Sequence, residues 1–436
     1  MKASRWLHRV VAFIFAAVVL ALTPLVGQCV TIDSVQARQR YPWNGLVDID
    51  YKITLGDGEQ LGVDDNLEVL MIDKSVEPAV TNRAITFLKV PLPMTAGQHR
   101  ITWNANADGV TNYSSRVAIR VKIAHYPPSY MVIDVSGGPS TNVYPVSFVN
   151  GEPAGSFNVS AYKRDKIVLR RIHPGSYVAG ALPKEAGAYR DGSETQHEVT
   201  LSRPFYIGIF EVTQKQYANV MGTDPSASKG DERPVEKVSY NTIRGSADWP
   251  TVTNVAASSF MGKLRDKCKA WNSQSLQYDI PVGGFDLPTE FQWEYACRAG
   301  TKGAIGTTNA YDNTNSDDVE AQLKLMGRYK GNASDGRGGY SEAHTTVGSY
   351  NPNPWGIYDM HGNVMELCLD WVRKDVENLN QRVDPKGASS GSSTRRERGG
   401  HAGRTFESCR SATRYDYDSV STTSAAVGFR LCRTLP

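Results

Sequence analysis

The chain has 436 residues, of which 40% are hydrophobic and 21% are charged, as in ordinary folded globular proteins. This composition excludes a disordered chain, a collagen-like fibre and a membrane protein with many spans. The 48 basic residues exceed the 45 acidic ones by three, and Lys2, Arg5 and Arg9 account for that excess. The rest of the chain is formally neutral, so its charge predicts neither nucleic acid nor an anionic membrane as a partner.

The first segment has the pattern of a secretory signal. The basic stretch Met1–Arg9 precedes the apolar run Val10–Leu22, which is shorter than the about 20 residues that a membrane-spanning helix needs. We predict a signal peptide over 1–29, and hence a secreted, periplasmic or cell-envelope protein with no membrane span after signal removal. An uncleaved anchor and a lipoprotein attached through Cys29 are the alternatives.

Residues 30–125 have the pattern of short β-strands. Runs such as VDIDYKI, NLEVLMI and SRVAIRVKI alternate or are β-branched, and the turn signals GDGE and NADG separate them. Without any helical period, this pattern predicts a small all-β sandwich domain of immunoglobulin-like or fibronectin-like type. Residues 126–165 contain PP, SGGPS and GEPAGS, which predict an irregular linker with an occasional strand.

Three helices are predicted after residue 166. The first opens at Thr213, whose side chain suits an N-cap, and the second covers Val255–Trp271. The third covers Thr289–Ala299, where Thr289 and Gln292 have the spacing of a capping box. Most of the chain beyond this helix reads as loops, which is typical of folds whose irregular segments are fixed by metal ions or disulfides.

Six cysteines are present, without a Cys-x-x-Cys pair or a cysteine–histidine cluster of zinc-site spacing. In an oxidising compartment they predict one or two disulfides among the last five. Counting alone does not give their connectivity.

Several motifs then occur in a fixed order: FEVTQKQYANVMGTDPS, RPVEKVSY, FDLPTEFQWEYACRAGT, NPWGIYDMHGNVMELCLDW, RGGHAG, CRSATR and GFRLC. Together they resemble the sulfatase-modifying-factor family, the formylglycine-generating-enzyme-like domain, from about Lys166 to Arg433. The resemblance implies an α+β fold for residues 166–436. This is the loop-rich formylglycine-generating-enzyme fold, which is related to C-type lectins, and here the β-sandwich precedes it.

The resemblance also implies a structural calcium site in the loop DMHGNVME. In the family, the positions that match Asp359 and Glu366 supply side-chain oxygens, and those that match Gly362 and Val364 supply main-chain carbonyls. Calcium binds six to eight such hard oxygens. The alternative is that the two carboxylates only cap or hydrogen-bond a glycine turn. His361, within the same loop, is expected to pack or hydrogen-bond there rather than to catalyse.

One departure from the family concerns catalysis. Catalytic members have a Cys-x4-Cys pair shortly after an RGGS motif, which binds copper(I) and oxidises a substrate cysteine to formylglycine. Here the segment RGGHAGRTFESCRSATR contains only Cys409. If Cys409 matches the second cysteine, the first falls on Arg404; aligned on the RSATR end, Cys409 matches neither. Two soft thiolates hold copper(I) in such a site, and this segment offers one. We therefore predict bound copper and a catalytic Cys409 only if the protein is an oxidase whose copper site is arranged differently.

The family's fold further implies which cysteines could pair. It brings the motifs of Cys297 and Cys409 close, which favours a bridge between them, and a second bridge between Cys268 and Cys432 would leave Cys368 as a buried free thiol. Arginines of the segment 395–414, with Arg398, Arg410 and Arg414 foremost, are expected to bind carboxylates and carbonyls rather than to form a groove for an acidic ligand.

The stretch 402–427 is rich in Tyr, Asp, Ser and Thr, as are adaptable binding surfaces. In the family's fold it lines the ligand face. We therefore predict binding of a protein, peptide or glycan by residues of this stretch, the alternative being an ordinary polar loop. The predicted ligand-binding residues are Arg404, Tyr415, Asp416, Tyr417 and Asp418.

The favoured function is thus an exported, calcium-stabilised member of the family that binds a ligand through its C-terminal loops and lacks oxidase activity. Two alternatives are a copper-dependent oxidase that converts a protein cysteine to formylglycine, and a structural component of the cell envelope. The missing second thiol favours binding.

Overall fold

The computed structural model of the chain describes residues 15–16, 31–40, 44–55, 65–73, 80–84, 87–89, 95–105, 117–125, 128–153, 155–188, 194–245, 249–250, 253–268, 284–333, 343–372, 382–386, 394–417 and 419–435. Apart from 15–16, the predicted signal peptide lies outside these residues, and so does Asp418. The chain divides into two compact units, Met1–Tyr126 and Pro127–Pro436.

In the first unit the described residues form antiparallel strands in two sheets, ordered β1-β2-β3-β7-β6 and β5-β4-β8. Side chains alternate along β3, where Val47, Ile49, Tyr51 and Ile53 are buried. They share one apolar cluster with residues of the second sheet such as Val121. The strands are β1 (Phe15–Ala16), β2 (Thr31–Gln39), β3 (Leu46–Thr54), β4 (Asp65–Asp73), β5 (Val80–Ala84), β6 (Phe87–Lys89), β7 (Gly97–Asn104) and β8 (Val117–His125).

The second unit contains a five-stranded antiparallel sheet, ordered β10-β9-β11-β14-β19. Residues 126–165, expected to be an irregular linker with an occasional strand, supply β9 and β10 to this sheet. They belong to it because β9 pairs with β11, so that Val132 lies opposite Val168. The strands are β9 (Tyr130–Asp134), β10 (Val146–Val149), β11 (Lys166–Ile172), β14 (Phe205–Gly208) and β19 (Cys432–Thr434).

Two smaller sheets complete the β-structure described for this unit. β12 (Gly175–Ala179) pairs with β13 (His197–Leu201). The other sheet has the order β17-β16-β15-β18, and its strand β15 is buried along its whole length. Its strands are β15 (Met365–Trp371), β16 (Arg395–Arg398), β17 (Tyr415–Tyr417) and β18 (Val427–Gly428).

Helices of the second unit are short, and their bounds test the sequence predictions. Thr213 and Thr289 are N-caps of two of them, each with a complete capping box, so the first and third predicted helices are confirmed. The α-helices are α1 (Ser160–Arg164), α2 (Gln214–Met221), α3 (Tyr240–Ile243), α4 (Phe260–Lys267), α5 (Glu290–Arg298) and α6 (Ser316–Met326), and 3-10 turns cover Lys330–Asn332 and Phe406–Cys409.

The second predicted helix begins later than expected. Ser259 caps α4, because its hydroxyl accepts a hydrogen bond from the amide of Gly262. The preceding residues are held by another segment, since the amide of Ala256 donates to the carbonyl of Arg244. The helix therefore starts at Phe260 rather than at Val255.

The fold of the described residues is mixed α/β and rich in sheet, with few helices. This confirms the coarse α+β prediction, whereas the sandwich type of the first unit and the relation to lectins stay predictions. None of the helices in the described part of the chain is long and apolar enough to cross a membrane.

Candidate functional site

The loop predicted to bind calcium turns tightly before it enters β15. Asp359, Gly362 and Asn363 all have positive φ angles, of 56°, 88° and 63°. At Gly362 a side chain would be impossible, because an added Cβ would lie 2.0 Å from the carbonyl oxygen of Arg328. The loop is thus pressed against the segment after α6, and its polar groups point into the interior.

Glu366 is held by a buried arginine. Its Oε1 accepts from Arg430 Nη2 at 2.6 Å, and its Oε2 accepts from Arg430 Nε at 2.6 Å. Trp293 Nε1 also donates to Oε2, at 2.8 Å. Both oxygens of this predicted calcium ligand are therefore already bound by protein donors.

Asp359 and Glu211 lie in the same interior region. Asp359 Oδ2 accepts from the amide of Gly348 at 2.6 Å, whereas its Oδ1 is buried without a hydrogen-bond partner among the described residues. Glu211 accepts from Asn363 Nδ2 and from the amide of Val364. Sequence reasoning missed Glu211, although it stands in the FEVTQKQY motif as a charged residue between apolar ones.

Burial and mutual repulsion raise the proton affinity of these carboxylates. Burial, with the charges of Asp359 and Glu366, raises the pKa of Glu211 well above its ordinary value. Burial also raises the pKa of Asp359 to about 6, and the Glu366 charge adds to this effect. Arg430 is the guanidinium that faces all three carboxylates. Lys163 is a second buried cation, beside Asp359, so three buried carboxylates share two cationic groups.

This arrangement fits a calcium ion in part. The unpartnered oxygen of Asp359 and the excess negative charge suit a hard cation. Against this, the oxygens of Glu366 are occupied by Arg430 and Trp293. Within the described ranges, no group of three or more His, Cys, Asp or Glu side chains is arranged as a metal centre. Asp359, Gly362, Val364 and Glu366 stay the predicted calcium ligands, and of the carboxylate oxygens of Asp359 and Glu366, Asp359 Oδ1 is the one without a hydrogen bond among the described residues.

The predicted disulfides are not present, which corrects the sequence analysis. All five described cysteines are free and buried. The Sγ of Cys297 lies 3.5 Å from His361 Nε2 and 3.5 Å from Ser411 Oγ. His361 Nδ1 in turn lies 2.7 Å from the carbonyl oxygen of Cys409. The imidazole therefore links the two segments, and Cys409 packs its sulfur in a different apolar cluster from Cys297.

The second proposed bridge fails for a similar reason. Cys268 is the C-cap residue of α4 and packs in the apolar cluster that contains Phe260 and Leu264. The thiol of Cys432 instead points toward Gln292 Oε1, at 3.7 Å. Cys268 and Cys432 pack in two different apolar clusters, and both are free thiols. The predicted Cys268–Cys432 bridge is therefore wrong.

His361 has the structural role that was expected. The amide of Gly306 donates to its Nε2 at 3.0 Å, so Nδ1 carries the proton that is donated to Cys409. Burial lowers the pKa of His361 to about 4. The imidazole is therefore neutral at neutral pH and serves as a fixed bridge between loops.

Cys409 lacks the chemistry of a copper ligand or a nucleophile in this arrangement. Its side chain is fully buried, and burial raises the pKa of its thiol to about 12. The reactive and metal-binding form of cysteine is the thiolate, which such a group does not populate at neutral pH. Arg404, five positions earlier, is exposed. These residues do not fit a two-thiolate copper site.

The arginines of the 395–414 segment confirm their predicted structural role. Arg398 donates to Glu294 Oε2 and to the carbonyls of residues 411–413. Arg410 pairs with Glu185 and Glu194 at 2.7 and 2.8 Å. Arg414 also pairs with Glu290, at 2.6 Å. These bonds attach the segment 398–414 to α5 and to the segment after β12.

Part of the predicted ligand face is assembled at the surface. The guanidinium of Arg404 lies 5.9 Å from the centre of the Tyr415 ring. Asp416, next on β17, is exposed and binds Arg396 Nη1 at 2.5 Å. Tyr417 follows on the same strand, and Asp418 lies outside the described residues. We call Arg404, Tyr415 and Asp416 the C-terminal face.

The buried thiols lead to a chemical prediction. In the folded protein, Cys297 and Cys409 are expected to resist alkylation by iodoacetamide at neutral pH, because both are buried and burial raises both pKa values to about 12. After unfolding in guanidinium chloride both should react. Peptide mapping by mass spectrometry without reduction measures this. A linked Cys297–Cys409 peptide, or rapid labelling of folded Cys409, would contradict it.

Comparison with known proteins agrees with the motifs. The chain is 34% identical over 202 residues to the chaperone protein LppX of Paenibacillus barcinonensis, covering 43% of this chain and 70% of the relative. It is 31% identical over 249 residues to the formylglycine-generating enzyme of Streptomyces coelicolor, covering 51% of this chain and 74% of the relative. The solved structure of PvdO from Pseudomonas aeruginosa matches 62% of this chain and 94% of its own, at 24% identity and a TM-score of 0.45.

The family itself is identified over most of the second unit. Residues 159–435 match the Sulfatase-modifying factor enzyme 1-like domain. This range contains all the ordered motifs from FEVTQKQY to GFRLC, together with the buried loop at Asp359 and the C-terminal face. The chain therefore belongs to the family of sulfatase-modifying factor enzyme 1-like domains.

Proposed function

We propose that this protein is a binding member of the family, exported from the cytoplasm, which holds a polypeptide ligand on its C-terminal face and does not oxidise cysteine. The observation that carries the proposal is the state of the RGGHAGRTFESC segment. Its one thiol, Cys409, is buried and protonated, and the segment contains no second cysteine. If Cys409 matches the second cysteine of the family's pair, the exposed Arg404 occupies the position of the first.

The C-terminal face has the chemistry of a polypeptide site. Tyr415 offers a half-buried aromatic surface, and Arg404 beside it offers a planar cation that can bind a carboxylate or a carbonyl. Tyrosine and arginine are the residues that dominate binding energy at protein interfaces. One relative carries the name chaperone protein, which supports a polypeptide rather than a glycan as the ligand.

Selection of a random dodecapeptide library displayed on phage tests this face. We expect wild-type protein to enrich peptides whose affinity falls by about tenfold or more in Arg404→Glu and in Tyr415→Ala, because both remove a central contact. Lys324→Gln, an exposed cation on α6, is the matched control and should retain binding. Enriched peptides that bind both face variants as tightly as wild type would contradict the assignment.

An oxidase is the second candidate, supported by the 31% identity to a formylglycine-generating enzyme. It would require Cys409 to leave its buried position and to find a second soft ligand. A structural role in the cell envelope is the third, and it would leave the C-terminal face without a ligand. The peptide selection separates the first proposal from the third.

We also propose that calcium stabilises the loop at Asp359. Calcium at millimolar concentration is expected to raise the melting temperature by about 5 °C or more, because a ligand that binds only the folded state stabilises it. Magnesium should have a smaller effect, since it demands near-octahedral coordination and gives up its bound water reluctantly. Asp359→Ala should abolish the shift. Differential scanning fluorimetry measures it, and an equal shift in Asp359→Ala would place any calcium elsewhere.

A further inference from the structure

A cavity of about 390 Å³ opens in the second unit, and none of the residues of the C-terminal face lines it. Its size lies within the range of small-molecule sites. Leu201, Trp249, Leu287 and Leu369 supply apolar wall, and Gln292 contributes an amide. These residues come from β13, the Trp249–Pro250 segment, the start of α5 and the end of β15. Leu287, Gln292 and Leu369 belong to two of the ordered motifs, but none of them was predicted to be a site residue.

Both acidic side chains that line this cavity already have partners in the protein. Asp286 accepts from Arg244 Nε at 2.8 Å and from Arg265 Nη2 at 3.1 Å. Asp384 accepts from the amide of Ser202 at 2.8 Å, and from the hydroxyl of the same residue. Both carboxylates in the lining are therefore already satisfied.

One cation of the lining, Arg203, lies outside these ion pairs. Arg203 lines the cavity and is exposed, and no ion pair joins it to any of the residues that the structure describes. Lys386 and Arg265 line the cavity as well, and Arg265 shares Asp286 with Arg244. Because Asp286 already neutralises Arg265, Arg203 is the cation at the rim that can face an anionic ligand, next to the apolar side chains of Trp249 and Leu287.

We propose that this cavity binds a small organic anion with an apolar body, such as an aromatic carboxylate or sulfonate. The apolar part would lie against Trp249 and Leu287, and the anionic group would face Arg203 at the rim. Such a ligand would use both the apolar wall and the cation at the rim. Burial of its apolar area would supply affinity, and a charge-assisted hydrogen bond to Arg203 would fix its orientation.

The test uses two fluorescent probes on the purified protein. One is 1-anilinonaphthalene-8-sulfonate, and the other is its uncharged analogue N-phenyl-1-naphthylamine, which lacks the sulfonate. We expect saturable binding of the anionic probe near one molecule per chain, and binding of the neutral probe that is about threefold to tenfold weaker. Arg203→Gln should weaken only the anionic probe, by a similar factor, and Arg203→Lys should recover part of the loss.

Two further variants decide whether the probe occupies this cavity. Asn254→Trp places a large ring at an exposed position of the lining and should abolish saturable binding of both probes. Lys324→Gln removes an exposed cation that does not line the cavity and should leave both titrations unchanged. Binding that persists in Asn254→Trp, or equal affinity for the two probes in wild type and Arg203→Gln, would overturn the proposal.

Discussion

Replacing Arg430 by methionine is expected to lower the free energy of unfolding by about 3 to 5 kcal/mol, the cost of leaving a buried charge without its partner. Arg430 is fully buried and pairs with both oxygens of Glu366 at 2.6 Å. It also donates to the carbonyls of Gly208 and Tyr358. The variant would leave Glu366 uncompensated beside Glu211 and two main-chain carbonyls without their donor.

Chemical denaturation followed by circular dichroism measures this loss. The double variant Arg430→Met/Glu366→Gln should regain part of it, because the unpaired charge is then removed while the packing defect stays. Lys324→Gln, at the surface of α6, should change stability by less than about 0.5 kcal/mol. If Arg430→Met unfolds at the same denaturant concentration as wild type, the buried ion pair does not hold this region.

Arg410→Met is expected to have an effect of similar size, about 3 to 5 kcal/mol. This arginine binds Glu194 through two nitrogens and Glu185 through one, and all three side chains are buried. The pairs join the segment after β12 to the loop before β17, more than two hundred residues later in the chain. Removal of the guanidinium would leave two carboxylates facing each other in the interior.

The two acidic partners make a graded control possible. Glu194→Gln added to Arg410→Met should restore some stability, and the further change Glu185→Gln should restore more, because each step removes one uncompensated charge. Thermal unfolding of the series measures the order. A series in which the triple variant is the least stable would show that hydrogen bonding, rather than charge, holds these segments.

Local signals in the sequence were sufficient for several elements. The caps of α2 and α5 were predicted because Thr213 and Thr289 precede helical periods, and an N-cap acts over three residues. The arginines of the 395–414 segment were predicted to bind carboxylates and carbonyls because so many cations near few acids need partners from other segments. Both kinds of inference depend on residue type more than on distant contacts.

Long-range packing set the limits of prediction. The resemblance implied that the motifs of Cys297 and Cys409 lie close together in the fold, but the position of His361 between them could not be read from spacing. Residues 130–134 joined the central sheet because β11 pairs with them, which a local pattern rich in Pro and Gly does not show. The cavity near Arg203 is assembled from segments far apart in the chain, and no single motif marks it.

The most direct test of a binding role without oxidase chemistry is a formylglycine assay. Purified protein loaded with copper would be incubated with a peptide that contains Cys-x-Pro-x-Arg, beside an active formylglycine-generating enzyme as control, and mass spectrometry would follow the substrate cysteine. We predict no conversion by this protein while the control converts the peptide. Conversion that disappears in Cys409→Ser would contradict the proposal and make this protein an oxidase in which Cys409 leaves its buried position.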